Sequence, residues 1–340
     1  MLPAGEWWVC AFAFGTVIGS FLNVCIWRLP RGESLIYPGS HCPYCDHQLG
    51  PADLVPLLSF LIRRGRCRYC GRPISWRYFG VELLTGLIFA LLAYRFQFGL
   101  DFVAYSLFTA ALIVAFFIDA ESFFIPDEVN HFALLMGVGR DIYGIAQNET
   151  SHSLIDGWLP HSILTAVICA AIFVGIRILG TALFRKEAMG LGDVKLARAI
   201  GAMLPIGAAL TSFFMAVIMG AVLGPVILLV KQRRSPPSNE DAIQEKAVEE
   251  DIKIPFLRDS LESLQYLLFL DIPITIWMRF KRRPESEPLV EDEDWQPGAT
   301  HIPFGPFMAV GAVAAIFIGN QLTDWYLRWS HLGMLFGGKS

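Results

Sequence analysis

The hydrophobic positions of this chain gather into long runs that short polar segments separate. A helix that crosses a bilayer needs about 20 mostly apolar residues. Eight runs approach this length, at 6–27, 79–98, 102–118, 128–146, 159–184, 196–209, 210–230 and 304–321. The sixth run is short and contains Pro205, which leaves a re-entrant piece as the alternative there. The pattern predicts an all-α polytopic membrane protein with about eight transmembrane helices.

Composition agrees with a membrane protein and excludes a purely soluble one. The 340 residues are 54% hydrophobic and 17% charged, whereas soluble domains carry about 25% charged residues. The formal net charge is −4, so there is no basic excess that would predict a nucleic-acid partner. The lipid bilayer is the partner that composition predicts.

The distribution of basic residues predicts how the chain faces. Residues 28–78 contain eight Arg, and 231–303 is also rich in Lys and Arg. Both segments are therefore expected on the cytoplasmic side. We predict five regions along the chain. They are a first transmembrane helix (1–27), a cytoplasmic four-cysteine domain (28–78), a transmembrane core (79–230), a cytoplasmic acidic insert (231–303), and a last transmembrane helix with an outer-side tail (304–340).

The acidic insert is a separate compositional zone. Between 235 and 300 there are 15 acidic and seven basic residues, a composition typical of a solvated segment. Within it, Leu261 to Phe280 is apolar enough for an amphipathic helix on the membrane surface. We expect the insert to be accessory to any chemistry, unless this apolar stretch forms part of a substrate groove.

Four of the seven cysteines form two pairs with metal-ligand spacing. Cys42-Pro-Tyr-Cys45 and Cys67-Arg-Tyr-Cys70 are separated by 21 residues, close to the spacing of zinc ribbons. Four thiolates favour a closed, structural zinc site that has no open position for catalysis. Chance motifs or disulfides are the alternative. Gly71, directly after the second pair, suits a tight turn.

Acidic residues at membrane depth are rare and suggest function. Asp119 ends the third run, and Asp193 lies in Gly190-Leu191-Gly192-Asp193, just before the sixth. The predicted topology places both at the cytoplasmic face. Two adjacent carboxylates can share one proton, so that one activates water while the other protonates a leaving group. The two glycines would let backbone approach closely at the head of a helix.

Each of these acids also has a structural interpretation. Asp119 and Asp193 could be interfacial charges, and Asp127, after Pro126, could cap a helix. Glu82, inside the second run, could pair with Arg77. Intramembrane acids also serve as proton relays, so a zinc-stabilised transporter or scaffold is an alternative from another functional class. A transporter predicts inverted repeats, and we find none in the sequence.

At these residues the chain resembles the type IV prepilin peptidases, the prepilin leader peptidase/N-methyltransferases with a GxGD motif. The resemblance covers nearly the whole chain outside the acidic insert. It is carried by the two Cys pairs, by Asp119 with Ile125-Pro126-Asp127, and by the segments Gly19-Ser20-Phe21-Leu22-Asn23-Val24, Arg28-Leu29-Pro30, Ile74-Ser75-Trp76-Arg77, Met189-Gly190-Leu191-Gly192-Asp193-Val194-Lys195 and Ile302-Pro303-Phe304-Gly305-Pro306-Phe307. GxGD alone is a weak motif, but this order of motifs is specific.

The resemblance implies an intramembrane aspartyl protease of the bacterial inner membrane with Asp119 and Asp193 as catalytic residues. Such enzymes cleave the basic leader of prepilins or pseudopilins at the cytoplasmic face of the membrane. They then methylate the new N-terminal residue with S-adenosylmethionine. The resemblance places structural zinc on Cys42, Cys45, Cys67 and Cys70. A peptidase without methyltransferase activity is an alternative, because no glycine-rich strand–turn–helix sequence for the methyl donor is found.

Overall fold

The computed structural model describes residues 6–147, 160–184, 189–234, 269, 271–273 and 302–329. This part of the chain is helical, with two isolated β-bridges and no strand. Its helices are α1 (Trp7–Arg28), α2 (Leu58–Ile62), α3 (Trp76–Phe96), α4 (Leu100–Ser122), α5 (Asp127–Ala146), α6 (His161–Phe184), α7 (Leu191–Met203), α8 (Ile206–Arg234) and α9 (Gly305–Trp329). The all-helical fold class that the hydrophobic pattern predicts is confirmed.

A helix lies at each of the eight predicted spans. Among the described helices, six are long and apolar enough to cross a membrane, namely α1, α3, α4, α6, α8 and α9. The α5 helix is more polar and α7 has only 13 residues, so eight crossings remain a prediction. The break predicted after 209 lies instead at Leu204 and Pro205, where α7 ends and α8 begins.

The described residues up to Ile118 form one compact unit, in which α1 and α3 pack antiparallel. Gly15 and Gly19 of α1 lie against the backbone of α3; a Cβ on Gly19 would come within 2.8 Å of the Glu82 Cα. Such close packing without side chains between the backbones is common among membrane helices. At the end of this pair the Asn23 side chain donates to the Tyr78 carbonyl oxygen (3.1 Å).

The described residues from Asp119 onward form a second unit. Here α7 is almost entirely buried between α5 and α6. The Thr165 hydroxyl of α6 donates to the Gly201 carbonyl oxygen (2.5 Å) near the end of α7. The Arg177 guanidinium, late in α6, donates to the Met189 carbonyl oxygen just before α7 (2.9 Å). The two contacts show that α6 and α7 are antiparallel.

In contrast, α5 and α7 run parallel. The first residue of α5, Asp127, meets Lys195 near the start of α7, and Gly137 meets Ala202 near its end. Both helices therefore begin at the same side of this unit. In the same unit α8 packs antiparallel on α9, with Gly207 beside Thr323 and Gly311 beside Ser212.

We expect Gly137→Ala to destabilise the protein. A Cβ there would lie 2.5 Å from the Ala202 carbonyl oxygen, and overpacking of this kind costs about 1–3 kcal/mol. The matched control is Gly139→Ala two residues along, where a Cβ would meet nothing within 4 Å. The control should unfold at or slightly above the wild-type temperature. Thermal unfolding in detergent measures both; equal melting temperatures for the two variants would contradict the close contact.

Candidate active site and metal centre

The Asp119 carboxylate lies at the end of α4. That helix stops at Ser122, and Phe123 then adopts a left-handed backbone conformation (φ 55°), with its N–H donating to the Asp119 carbonyl oxygen (2.9 Å). The Asp119 side chain is 6% exposed, and its Oδ2 atom accepts no hydrogen bond from the described residues. A buried carboxylate oxygen normally has a partner, so this atom is suited to receive one from outside the fold.

The first residue of α9 packs closely against the Asp119 side chain. The backbone N–H of Gly305, the first residue of α9, faces the Asp119 carboxylate. A Cβ on Gly305 would lie 2.5 Å from Oδ2 of Asp119 and 3.0 Å from Cδ1 of Ile125. Only glycine fits at this position without moving the carboxylate. This constraint explains the glycine of the Ile302-Pro303-Phe304-Gly305-Pro306-Phe307 segment.

The other predicted catalytic residue, Asp193, lies in the first turn of α7. Gly190 is the N-cap residue of this helix, and the Arg177 guanidinium holds the Met189 carbonyl oxygen just before it. Asp193 is close enough to Asp119 for their charges to interact. The structure thus brings the two predicted catalytic carboxylates together.

Ile125 connects the segments that surround the two carboxylates. Its side chain lies in van der Waals reach of Gly192, and its Cδ1 atom would touch a Cβ on Gly305. A Cβ on Gly190 or Gly192 would meet only ordinary contacts, at 3.9 and 3.4 Å. The close backbone approach expected at the GxGD glycines therefore occurs at Gly305 instead.

Asp127 has a role that the sequence did not predict. Pro126 occupies the N-cap position of α5, so Asp127 is inside the helix rather than capping it. Its Oδ1 atom accepts a hydrogen bond from Lys195 Nζ at 2.5 Å. Because Lys195 is two residues after Asp193, this ion pair fixes the start of α7 against the start of α5. Nothing in the spacing of the two residues could have predicted the pair.

Glu82 also has a partner other than the one weighed from the sequence. Its Oε2 atom accepts a hydrogen bond from the Leu57 backbone N–H (2.8 Å). Leu57 has a positive φ (60°) and precedes the short helix α2. Glu82 thereby fixes the segment between the two cysteine pairs to α3.

The four paired cysteines converge as the spacing predicts. Their Sγ atoms all lie within 4.8 Å of one another, and those of Cys42 and Cys70 are 3.9 Å apart. Four ligands at about 2.3 Å from a tetrahedral zinc ion have their sulfur atoms about 3.8 Å apart. All four cysteines are free rather than disulfide-bonded. The cluster can hold a metal ion, and its geometry does not support the disulfide alternative.

The two cysteine pairs have the same local structure. The Cys42 N–H donates to the His47 carbonyl oxygen (3.0 Å), and the Cys67 N–H donates to the Arg72 carbonyl oxygen (2.9 Å). The residue after each pair, Asp46 or Gly71, has a positive φ, so the turn expected at Gly71 is confirmed. These paired turns aim all four thiols at one point.

Backbone N–H groups change the pKa of one cysteine of the cluster, and aromatic contacts stabilise the segments around it. The N–H groups of Cys70 and Tyr69 lower the pKa of the Cys67 thiol to about 7, against a smaller opposing effect of burial. A lowered thiol pKa favours the thiolate, which is the form that binds metal. The His47 ring stacks on Tyr69 (3.6 Å between centroids), and the Tyr69 hydroxyl donates to Asp53 Oδ2 (2.9 Å).

Two family models match the chain. Residues 13–96 match the family model of the bacterial peptidase A24 N-terminal domain, and residues 106–225 match that of the type IV leader peptidase family. The cysteine cluster lies in the first match, and Asp119 and Asp193 lie in the second.

Several curated proteins resemble the chain. A prepilin leader peptidase/N-methyltransferase of Myxococcus xanthus is 32% identical over 97% of this chain and 95% of its own length. Proteins of the same name from Bacillus subtilis (32% identical, 64% of this chain and 82% of its own) and Stutzerimonas stutzeri (26% identical, 95% of both) are similar as well. No solved structure matches. The identity to the Myxococcus xanthus protein over nearly the full length of both chains shows that this chain belongs to the type IV leader peptidase family.

Proposed function

We propose that this protein cleaves the leader peptide from type IV prepilins or pseudopilins and methylates the new N-terminal residue. The observation that carries the proposal is the meeting of Asp119 and Asp193 where α4 ends and α7 and α9 begin. The names of the relatives supply the substrate class and the second activity. The protein is then a multi-pass enzyme of the bacterial inner membrane.

Cleavage follows from two carboxyl groups that share one proton. The ionised carboxylate takes a proton from water as the water oxygen attacks the carbonyl carbon of the scissile peptide bond. The protonated carboxyl group donates to the carbonyl oxygen, and a proton then passes to the leaving amine. No metal is needed for these steps. The orphan Oδ2 atom of Asp119 is suited to meet this water or the substrate carbonyl group.

The leader would be cut at the cytoplasmic face of the membrane. The eight Arg residues of 28–78 support this orientation, because loops rich in Lys and Arg remain in the cytoplasm. A prepilin presents its hydrophobic helix within the bilayer and its leader outside it, so a dyad at a helix end suits the scissile bond.

We assign a structural zinc ion to Cys42, Cys45, Cys67 and Cys70. The cluster supplies four thiols and leaves no ligand position for water or substrate, which is typical of structural rather than catalytic zinc. The segment around the cluster exposes many of its large apolar residues, including Ile36, Tyr37 and Ile62. A domain with so little core depends on metal for its fold.

S-adenosylmethionine is the methyl donor that the relatives' N-methyltransferase name implies. It would supply an electrophilic methyl group to the new terminal amine. We assign no donor-binding residues, since the sequence has no glycine-rich strand–turn–helix signature for this group.

Asp119→Asn and Asp193→Asn should each reduce cleavage of a purified prepilin by at least about 10²–10⁴-fold, the usual contribution of acid–base groups. Neither asparagine can supply the acid or the base. The measurement is loss of leader mass over time, followed by a mass gain of one methyl group when S-adenosylmethionine is added. Cleavage without any methylation would identify a peptidase that lacks the second activity.

The matched control for both variants is Asp324→Asn, on an exposed position of α9. It should cleave at the wild-type rate. If either dyad variant is folded and cleaves as fast as this control, the two aspartates are not the catalytic pair.

Gly305→Ala should lower the cleavage rate without unfolding the protein. The added methyl group would displace the Asp119 carboxylate, and small displacements of a catalytic group cost up to about 10²-fold in rate. Gly175→Ala is the control, because a Cβ at that position of α6 meets nothing within 4 Å. Wild-type kinetics for Gly305→Ala would show that α9 does not constrain Asp119.

Cys45→Ser should lower both bound metal and resistance to proteolysis in residues 28–78, since metal binding contributes folding free energy. Elemental analysis should find about one zinc per wild-type chain by the four-ligand rule. Cys10→Ser, a cysteine of α1 outside the cluster, should retain the metal. A wild-type protein without metal would rule out the site.

A further inference from the structure

One residue of the acidic insert lies buried in the second unit. Asp271 is 6% exposed, and its two carboxylate oxygens accept hydrogen bonds from the Arg198 guanidinium of α7 at 2.8 and 2.7 Å. Its Oδ2 atom also contacts Nε2 of His131 in α5 at 2.9 Å. The Phe269 ring lies 5.0 Å from the Arg198 guanidinium carbon. The insert therefore contributes a bidentate ion pair to the helix that carries Asp193.

The ion pair compensates a buried positive charge on α7. Arg198 is 1% exposed, and a buried guanidinium is costly unless a carboxylate compensates it. Burial alone would raise the pKa of the Asp271 carboxyl, but the hydrogen bonds from Arg198 and His131 outweigh burial and hold the pKa well below its usual range. Asp271 therefore stays ionised beside the buried Arg198 guanidinium.

The position of this contact along α7 matters. The seam between the parallel helices α5 and α7 has three successive contacts: Asp127 with Lys195, His131 and Arg198 with Asp271, and Gly137 with Ala202. The outer two contacts join residues of α5 to residues of α7. The middle contact brings the basic side chains of His131 and Arg198 together around Asp271, a carboxylate of the insert.

We propose that Asp271 is a positioning residue, by which the acidic insert sets the position of α7 and hence of Asp193. This inference rests on the proposed function. It also revises the expectation that the whole insert is accessory: its composition is that of a solvated segment, but one of its carboxylates belongs to the catalytic unit.

A shift of α7 would carry Asp193 with it. Asp193 and Arg198 are five residues apart on one short, buried helix. If Asp271 is neutralised, the Arg198 guanidinium loses the bidentate carboxylate that compensates its charge, and the contact that ties α7 to the insert is weakened. The helix is then free to shift from the position that the ion pair sets. A dyad tolerates little displacement, because acid–base catalysis depends on near-attack geometry. The substrate-contacting surface need not change at the same time.

The test compares Asp271→Asn, which removes the charge and preserves the shape, with Asp271→Glu, which preserves the charge. In full-length protein assayed with a prepilin, we expect Asp271→Asn to lower kcat by about tenfold or more, in line with the large cost of breaking a buried pair. KM should change by less than about twofold, and Asp271→Glu should recover part of kcat. Asp324→Asn, which removes one charge at an exposed position of α9, is the control and should keep wild-type kinetics.

A double variant separates positioning from simple stability. Arg198→Met with Asp271→Leu replaces the pair by apolar groups, an exchange that often preserves or improves stability. If Asp271 positions α7, the double variant should melt at the wild-type temperature but keep a low kcat. If the double variant regains wild-type kcat, the pair is only structural and the proposal is overturned.

Two further outcomes are decisive. Wild-type kcat in Asp271→Asn would also overturn the proposal. If Asp271→Asn does not fold, the double variant alone decides. None of these results affects the dyad itself, whose failure would appear as activity in Asp193→Asn.

Discussion

Charges that leave water inside this helical bundle need a partner of opposite sign, and this constraint organises the second unit. Lys195 is held by Asp127, and Arg198 is held by Asp271. One pair joins α7 to α5 and the other joins it to the insert. The helix therefore cannot rotate or slide without separating a buried charge from its partner. The two carboxylates of the candidate site are the exception, because they have each other and no cation in the contacts described. A pair of like charges of this kind is unfavourable unless a proton is shared.

Close backbone contact is the second determinant of the fold. Gly15 and Gly19 bring α1 to α3, Gly137 brings α5 to α7, and Gly201 brings α7 to α6. Membrane helices gain little from burying apolar side chains, since lipid is as apolar as the protein interior. Close packing and hydrogen bonds to backbone groups therefore carry the association, as the Thr165 hydroxyl that donates to the Gly201 carbonyl oxygen illustrates.

The sequence predicted those features that depend on local pattern. Runs of apolar residues gave the helices, because length and hydropathy alone decide whether a segment can cross a bilayer. The Cys-x-x-Cys spacing predicted the convergence of the four cysteines, because each pair makes its own turn. The order of motifs singled out Asp119 and Asp193, and the structure places these two carboxylates close together. Contacts between distant segments had no such signal. Asp127 with Lys195 and Asp271 with Arg198 are separated by 68 and 73 residues, and either acid suits a cap or a solvated surface equally well.

The convergence of helix starts at the candidate site has an electrostatic consequence. The first turns of α7 and α9 lie at the two carboxylates, and α5 begins beside them through the contact of Asp127 with Lys195. The N-terminal end of a helix carries about half a positive charge, because its first N–H groups point out of the helix. Attack of water on a peptide bond creates negative charge on the carbonyl oxygen. That charge would develop in front of several helix dipoles that are already oriented, within a bundle where little solvent has to reorganise.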